Sequence, residues 1–544
     1  MSKYIFCIGA VYSGCGKGVA AASMGMLLKA RGHSVNLLKC DGYINTTASV
    51  LGPTEHGETY VTNDGKECDL DVGHYERLCG IEANKNTIFT SGLLYKEVIE
   101  EHENGVYLGQ TIQLNHITEK VKERILNSGK THDVTIVEIG GVVGDVEAYA
   151  FLEAVRYFQQ KFQQDVLVVT IAPVIWVSTI KEFKTKPLQN GIKELQKSGI
   201  QANILLCRSN REIPPDILDK IAELTNIDRN CTISALDVQS LYQVPVEFYN
   251  HQLDDLIVDM LRLPRSSCRI SKYREIVDRL VNNNFEEITI GVVHKYDKVD
   301  EAYLSVKEAI VHAGVANNVK PKIKWIKSDD LEQCKDNKAI AKFFENVDGV
   351  IIPGGFGKRG IEGKIKAAQY AREKKIPCLG LCLGMQAMVI EFSRHMCKMS
   401  AANSTEFDEN TPFPVIDFVE GQKDLVKKSG TLRLGAYNCE LIKDSIAYMF
   451  YNKKNIQERH RHRYEVNPSF IGRLEENGMR ISGINPESNL VEIIELNRDI
   501  HPFFVGTQAH PEMQSRLQNP APLFIGLIYS AIEYNKLLNT KKAE

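Results

Sequence analysis

The sequence predicts an α/β protein of two successive domains. The first is a doubly wound, mostly parallel sheet with a phosphate loop, and the second is another α/β domain. Three observations carry this expectation. Short apolar runs alternate with helical spacing from residue 3 to about 260, a pattern of parallel strands covered on both faces. A glycine-rich turn, Ser13-Gly14-Cys15-Gly16-Lys17-Gly18, joins the first apolar run to a helical stretch. The rhythm breaks over Arg262–Glu286, with a proline, two serines and an asparagine run, and resumes at Ile288. The expected division is residues 1–265, a linker at 266–286, and residues 287–544.

In chain order, Tyr4–Ala10 reads as a buried strand and Val19–Ala30 as the helix that follows the glycine turn. That context suits a phosphate loop: backbone N–H groups and the helix dipole face an anion, and Lys17 neutralises it. The spacing is not that of a standard Walker A, since Gly18 stands where Ser or Thr would bind magnesium. Ser34–Leu38 is a second strand leading to Lys39 and Asp41, where ligands sit in doubly wound sheets. The stretch Asp69–Arg77 is dense in carboxylates and reads either as a solvated loop or as part of a site. Val134–Ile139 is a clear strand with Glu138 near its end. Magnesium takes one or two carboxylates plus phosphate oxygens, and Asp71 with Glu138 is the expected pair. Leu167–Ile171, Asn203–Cys207 and Thr232–Leu236 complete the first set of strands. In the second domain the strands are Ile288–Val293, Lys322–Ile326, Val350–Ile352 and Leu379–Leu381.

At Leu381-Cys382-Leu383-Gly384 a strand meets a helix, and a cysteine on such an elbow projects from the sheet. The helix N-terminus favours its thiolate, and neighbouring N–H groups can hold an oxyanion. A buried structural cysteine is the plain alternative. Pro353-Gly354-Gly355-Phe356-Gly357 adds glycine-rich backbone, and His510-Pro511-Glu512 adds a base with an acidic orienter two residues on. Nucleophile, base and orienter complete a triad.

Bulk properties exclude several classes. A chain of 544 residues exceeds a single core. Hydrophobic content of 43% and charged content of 25% are those of a soluble globular protein. A net charge of −3 gives no basic excess for a nucleic-acid partner. The 13 scattered cysteines form no CxxC pair, which argues against a disulfide framework or zinc site and suits a reducing compartment. No apolar run approaches a membrane span, and the short run from Tyr4 to Val11 leads into glycines without a small-residue cleavage site, so a cytoplasmic protein is expected.

The motifs PGGFG (353–357), GLCLGMQ (380–386) and HPE (510–512) together resemble a class I, triad glutamine amidotransferase. With SGCGKG (13–18), KCDGYIN (39–45), HGE (56–58), DLDVGHYER (69–77), VEIGG (137–141), KTKPLQ (184–189), NSTEF (403–407) and RHRHRYEVN (459–467), nearly the whole chain resembles the CTP synthase family. The resemblance implies an amidoligase domain fused to a glutaminase domain. It implies conversion of UTP, ATP and glutamine to CTP through a 4-phosphorylated UTP intermediate, with magnesium. It further implies GTP as allosteric activator, CTP as feedback inhibitor, a homotetramer and assembly into filaments.

Matched residue by residue, ATP contacts fall on Gly14, Cys15, Gly16, Lys17, Gly18, Val19, Lys39, Asp71, Leu236, Asp237 and Val238. UTP and CTP contacts fall on Ser13, Asp145, Val146, Glu147, Lys184, Thr185, Lys186, Pro187, Leu188, Gln189 and Lys220, partly across a subunit interface. Glutamine would be held at Gly355, Leu383, Gly384, Met385, Gln386, Glu406 and Arg463. The chain departs from the family pattern at Gly14, Gly42, Thr46–Leu51, Val142 and His294, and in a short Phe418–Ser429 stretch; these changes bear on nucleotide affinity, feedback and subunit contacts. Two other readings share part of the pattern. One is an amidoligase that activates a carboxylate, which KTKPLQ and the full motif order argue against. The other is a non-catalytic filament protein, which would be expected to lose Lys17, Cys382 or His510, and all three are present.

Overall fold

The computed structural model describes residues 2–46, 57–282, 284–297, 299–418 and 432–543. His56, residues 47–51 and residues 419–429, singled out above, lie outside the described residues. The chain forms two compact units, one of residues 2–46 with 68–282 and one of residues 57–67 with 284–543. The stretch 266–282, expected as a linker, therefore belongs to the first unit. Its helix Ser271–Val281 is anchored there by the Tyr273 hydroxyl, which donates to the Tyr242 carbonyl at 2.9 Å. The short segment 57–67 goes with the second unit, whereas residues 2–46 and 68–282 go with the first.

Among the described residues the main sheet of the first unit has seven strands: β1 (Lys3–Gly9), β2 (Val35–Asp41), β3 (Ile88–Thr90), β4 (Val134–Ile139), β5 (Val166–Pro173), β6 (Ile204–Ser209) and β7 (Thr232–Leu236). Their order across the sheet is β7-β6-β5-β1-β4-β2-β3, and every pairing is parallel. Strands β1, β4 and β5 are buried almost throughout, as a sheet covered on both faces requires. The strand order reverses around β1, and a parallel sheet opens a ligand crevice where that happens, at the carboxyl ends of its strands. The expected strands all appear; β3 was not foreseen, being only three residues long.

The second unit contains β8 (Glu286–His294), β9 (Val319–Lys327), β10 (Gly349–Ile352), β11 (Cys378–Leu381), β12 (Arg433–Leu441), β13 (Asn455–His462), β14 (Met479–Ile484), β15 (Val491–Leu496) and β16 (Phe504–Thr507). The order is β9-β8-β10-β11-β16-β15-β14-β12-β13. The half from β9 to β16 is parallel, and the half from β15 to β13 is antiparallel. Beside it, Ala402–Ser404, Phe413–Phe418 and Tyr464–Val466 form a small sheet. Among the described residues no helix is long and apolar enough to cross a membrane.

A buried ionic cluster joins these sheets. Arg433 on β12 donates to Glu465 at 3.1 Å and to Glu492 on β15 at 2.6 Å, and its guanidinium lies 4.3 Å from the Tyr437 ring. Burial pushes the Glu465 carboxyl up to about 8 against the pull of Arg433, because a single guanidinium serves two carboxylates. Removing one partner of a buried ion pair leaves the remaining charge uncompensated. Arg433→Met should therefore destabilise the second unit by about 3 kcal/mol, measured as a shift in its denaturant midpoint. An unchanged midpoint would show that the cluster adds no stability.

Candidate active sites

In the second unit, β11 ends at Leu381 and helix α4 (Leu383–His395) begins two residues later. Cys382 between them takes φ 51° and ψ −106°, a conformation non-glycine residues rarely adopt. Its N–H donates to the Thr507 carbonyl of β16 at 2.8 Å, which fixes the elbow from the neighbouring strand. Gly384 is obligatory: a Cβ there would lie 1.8 Å from the Ile352 carbonyl oxygen of β10. The thiol points to the Arg461 carbonyl at 3.8 Å, and the Gln508 amide donates to the sulfur at 3.6 Å.

His510 Nδ1 is 2.7 Å from Glu512 Oε1. Burial alone would lower the His510 pKa, but the Glu512 carboxylate and a hydrogen-bonded Cys382 outweigh it and raise it to about 10. The triad read from sequence is thus assembled from two separate turns, with Gly354 packed between its members: a Cβ on Gly354 would sit 2.8 Å from His510 and 3.6 Å from Cys382. A cavity of about 80 Å³ opens here, walled by Cys382, His510, Pro353–Phe356, Tyr296 and Arg461, and by Glu58 and Thr59 from the 57–67 segment. Glu58 is fixed in place, accepting from the Ser305 N–H at 2.8 Å and from its hydroxyl at 2.5 Å.

The other positions expected to hold glutamine are placed as follows. Glu406 accepts from the Gly357 N–H at 2.7 Å, and burial raises its carboxyl pKa. Arg463 is exposed within electrostatic range of Glu406. Met385 is packed in the core, and the Gln386 amide donates to the Tyr464 carbonyl at 2.9 Å and to Gln508 at 3.2 Å. These two side chains brace the helix, so what they offer a ligand is backbone. Gln508, the link from Gln386 to the sulfur, was not among the expected site residues; only its position two residues before His510 could have suggested it.

In the first unit, the loop after β1 turns through Gly14 (φ 76°) and Gly16 (φ 88°) into helix α1 (Lys17–Ala30). Gly16 caps that helix in the left-handed region, where a side chain would be strained. The departure at Gly14 has the same reason. Lys17 donates to the Gly141 carbonyl at 2.8 Å, and the Val143 N–H donates to the Gly9 carbonyl at 3.2 Å, so the 140–147 turn lies against the phosphate loop. In that turn Asp145 accepts from the Val142 N–H at 2.8 Å, while Val146 and Glu147 are exposed.

The Lys39 ammonium is hydrogen-bonded to Asp71, lies 3.5 Å from Glu138 and 3.7 Å from Asp41. The two expected magnesium carboxylates therefore converge on one buried cation. Asp71 also abuts the loop, its Oδ1 only 2.6 Å from where a Gly18 Cβ would stand. Burial raises the Glu138 pKa, and it lowers that of Lys39 less than the surrounding carboxylates raise it. Among the described residues no cluster of three or more His, Cys, Asp or Glu forms a complete metal cage. The two carboxylates beside the loop are oxygen donors of the kind magnesium takes, with its remaining oxygens drawn from phosphate and water.

A cavity of about 220 Å³ beside the loop is lined by Cys15, Gly16, Val19, Leu236, Asp237 and Val238, with Arg208. Arg208 was missed as a site residue; it donates to Asp237 at 2.7 Å and to the Gly14 carbonyl at 3.3 Å.

The other positions expected to bind nucleotide are more scattered. Lys184 is exposed and paired with Glu182 at 2.7 Å. Lys186 and Pro187 begin helix α2 (Lys186–Lys197), Leu188 is buried, and the buried Gln189 amide donates to the Thr185 hydroxyl at 2.9 Å. Helix α2 packs against the end of β1, since a Cβ on Gly191 would lie 2.3 Å from the Ala10 carbonyl oxygen. Lys220 is exposed within electrostatic range of Glu182, and Ser13 is exposed on the loop.

Comparison with known proteins decides the family. A family model described as CTP synthase N-terminus matches residues 3–263, and one described as glutamine amidotransferase class-I matches residues 298–529. The CTP synthase of Methanocaldococcus jannaschii is 45% identical over 534 residues, covering 97% of this chain and 98% of its own. That of Carboxydothermus hydrogenoformans is 46% identical over 543 residues, covering 99% and 100%. The chain belongs to the CTP synthase family. As a member of that family it is a glutamine-hydrolysing ligase that aminates UTP to CTP in pyrimidine biosynthesis, and ATP and glutamine are its co-substrates.

As the base the triad calls for, His510 would accept the thiol proton and return it to the leaving amine. His510→Ala should lower glutamine hydrolysis by about 10²–10⁴-fold and Glu512→Gln by less. Because Glu512 raises the His510 pKa, Glu512→Gln should also move any alkaline limb of the hydrolysis profile downward from about 10. A pH–rate series on both variants measures this, and full hydrolysis in His510→Ala would remove it from the triad.

Proposed function

We propose that the first unit phosphorylates the uracil 4-oxygen of UTP with ATP and that the second unit supplies the ammonia that displaces the phosphate. The observation that carries this reading is the convergence of Asp71 and Glu138 on Lys39 beside the phosphate loop, with a complete Cys–His–Glu triad in a separate unit. The uracil 4-oxygen attacks the γ-phosphorus as N3 loses its proton, and ADP leaves. Ammonia then adds at C4, loses a proton, and expels inorganic phosphate. Glutamine is consumed when Cys382 attacks its side-chain amide, His510 protonates the departing ammonia, and water releases glutamate from the thioester.

Backbone N–H groups of Gly14–Val19 and the ammonium of Lys17 would hold the ATP phosphates, with the adenine beside Leu236–Val238. Asp71 and Glu138 would hold magnesium, which when bound neutralises phosphate charge. Ser13, Lys184–Gln189 and Lys220 would bind UTP, and Asp145–Glu147 would bind CTP as feedback inhibitor. GTP as activator completes the ligand set. The exposure of Val106, Leu108, Val146 and Tyr149, each more than half accessible, supports burial against further copies and hence a homotetramer. Thirteen free cysteines support a cytoplasmic location.

Cys382→Ala should abolish CTP formation from glutamine and leave synthesis from added ammonia intact, whereas Asp71→Asn or Glu138→Gln should impair both and spare basal glutamine hydrolysis. Equal loss of ammonia-dependent synthesis in Cys382→Ala would contradict the two-site reading. Lys186→Ala should weaken both UTP affinity and nucleotide-driven tetramerisation, because a ligand that binds only the assembled site stabilises assembly. Sedimentation with and without UTP and ATP reads the shift; unchanged tetramerisation at the same UTP concentration would place the triphosphate elsewhere.

A further inference from the structure

We propose that Lys364 and Lys295 are positioning residues of glutamine hydrolysis, gripping carbonyls of the Pro353–Gly357 stretch so that the Gly354 and Gly355 N–H groups face the oxygen of the attacked amide. This rests on Cys382 being the nucleophile, as in the reading above. Lys364 lies on helix α3 (Ile361–Lys374) and is wholly buried. Its ammonium donates to the Pro353 carbonyl at 2.5 Å and to that of Gly354 at 3.4 Å. Lys295, 2% exposed at the end of β8, donates to the carbonyls of Phe356 at 2.6 Å and Gly357 at 2.9 Å. Together the two side chains take the carbonyls on both flanks of Gly355.

In a planar trans peptide the carbonyl and the following N–H point in opposite directions. Turning the Phe356 carbonyl toward Lys295 thus turns the Gly357 N–H away, and that N–H meets Glu406 at 2.7 Å. By the same geometry, holding the Pro353 and Gly354 carbonyls on Lys364 turns the Gly354 and Gly355 N–H groups to the opposite side. Among the described residues neither N–H has a protein acceptor. Gly354 packs against Cys382 and His510, so these donors border the place where the tetrahedral oxygen forms.

The arrangement is costly for stability alone. Neither ammonium has a carboxylate within ion-pair distance among the described residues, although both are buried, and a methionine could fill either space. Burial, with Lys295 nearby, lowers the Lys364 pKa to about 7, against the opposing influence of Cys382. A neutral amine still carries N–H donors, so the grip on the carbonyls survives loss of the charge.

The test uses the full chain carrying Lys364→Met or Lys295→Met. Each should cut kcat for glutamine hydrolysis about 10- to 100-fold, within the range of losing an oxyanion donor, and leave KM within about threefold. Alkylation of Cys382 by iodoacetamide, which needs the nucleophile but no oxyanion site, should hold, as should ammonia-dependent CTP synthesis. A merely structural role would lower kcat, alkylation and ammonia-dependent synthesis together. The proposal is overturned if both variants keep wild-type kcat while Cys382→Ala is inactive, or if kcat and alkylation fall in parallel. Should Lys364→Met lose ammonia-dependent synthesis through misfolding, Lys295→Met decides alone. Hydrolysis surviving in Cys382→Ala would overturn the nucleophile reading and the proposal with it.

Discussion

The second unit depends on one strained residue. Cys382 at φ 51° occupies a backbone state that costs on the order of 1–3 kcal/mol, and it persists because its surroundings leave no alternative. Its N–H is tied to Thr507 on β16, and the next turn of chain is pressed onto the Ile352 carbonyl of β10 through Gly384. Three adjacent parallel strands therefore meet at this elbow. The same β16 leads through Gln508 to His510, so the strand that fixes the nucleophile also delivers the base.

The first unit solves a different problem, the burial of like charges. Asp41, Asp71 and Glu138 would repel one another in a desolvated crevice were Lys39 not among them. Burial still pushes the Asp41 carboxyl up to about 7, against the pull of Lys39. Such a balance suits a site that exchanges cationic and phosphate partners during turnover, since a new charge replaces one already compensated.

Both motifs were legible in the sequence because each is local. The phosphate loop is six residues between a strand and a helix, and the elbow is a cysteine bracketed by glycines. The buried parallel strands were equally plain, since continuous apolar runs leave little ambiguity. What escaped the sequence is held by distant pairings. Lys295 and Lys364 read as ordinary solvated lysines, and only the fold shows their ammonium groups on one turn of backbone. Arg208 reads as a strand end until Asp237 and Gly14 meet it. The antiparallel strands β12–β15 alternate buried charge such as Arg433 and Glu492 with apolar positions, which blurs the pattern. Gln386 and Met385 fall in the motif expected to hold glutamine, yet their side chains brace the helix.

The segment 57–67 has a consequence for synthesis of the chain. Residues 2–46 before it and 68–282 after it belong to the first unit, while Asn63 receives a hydrogen bond from Arg459, 396 residues later. On a ribosome the first unit can close long before that partner exists. At about 5–20 residues per second the wait is on the order of 20 to 80 seconds. During that interval a stretch that ends up walling the Cys382 cavity remains without its binding surface, so that wall of the pocket closes only after residue 459 has been made.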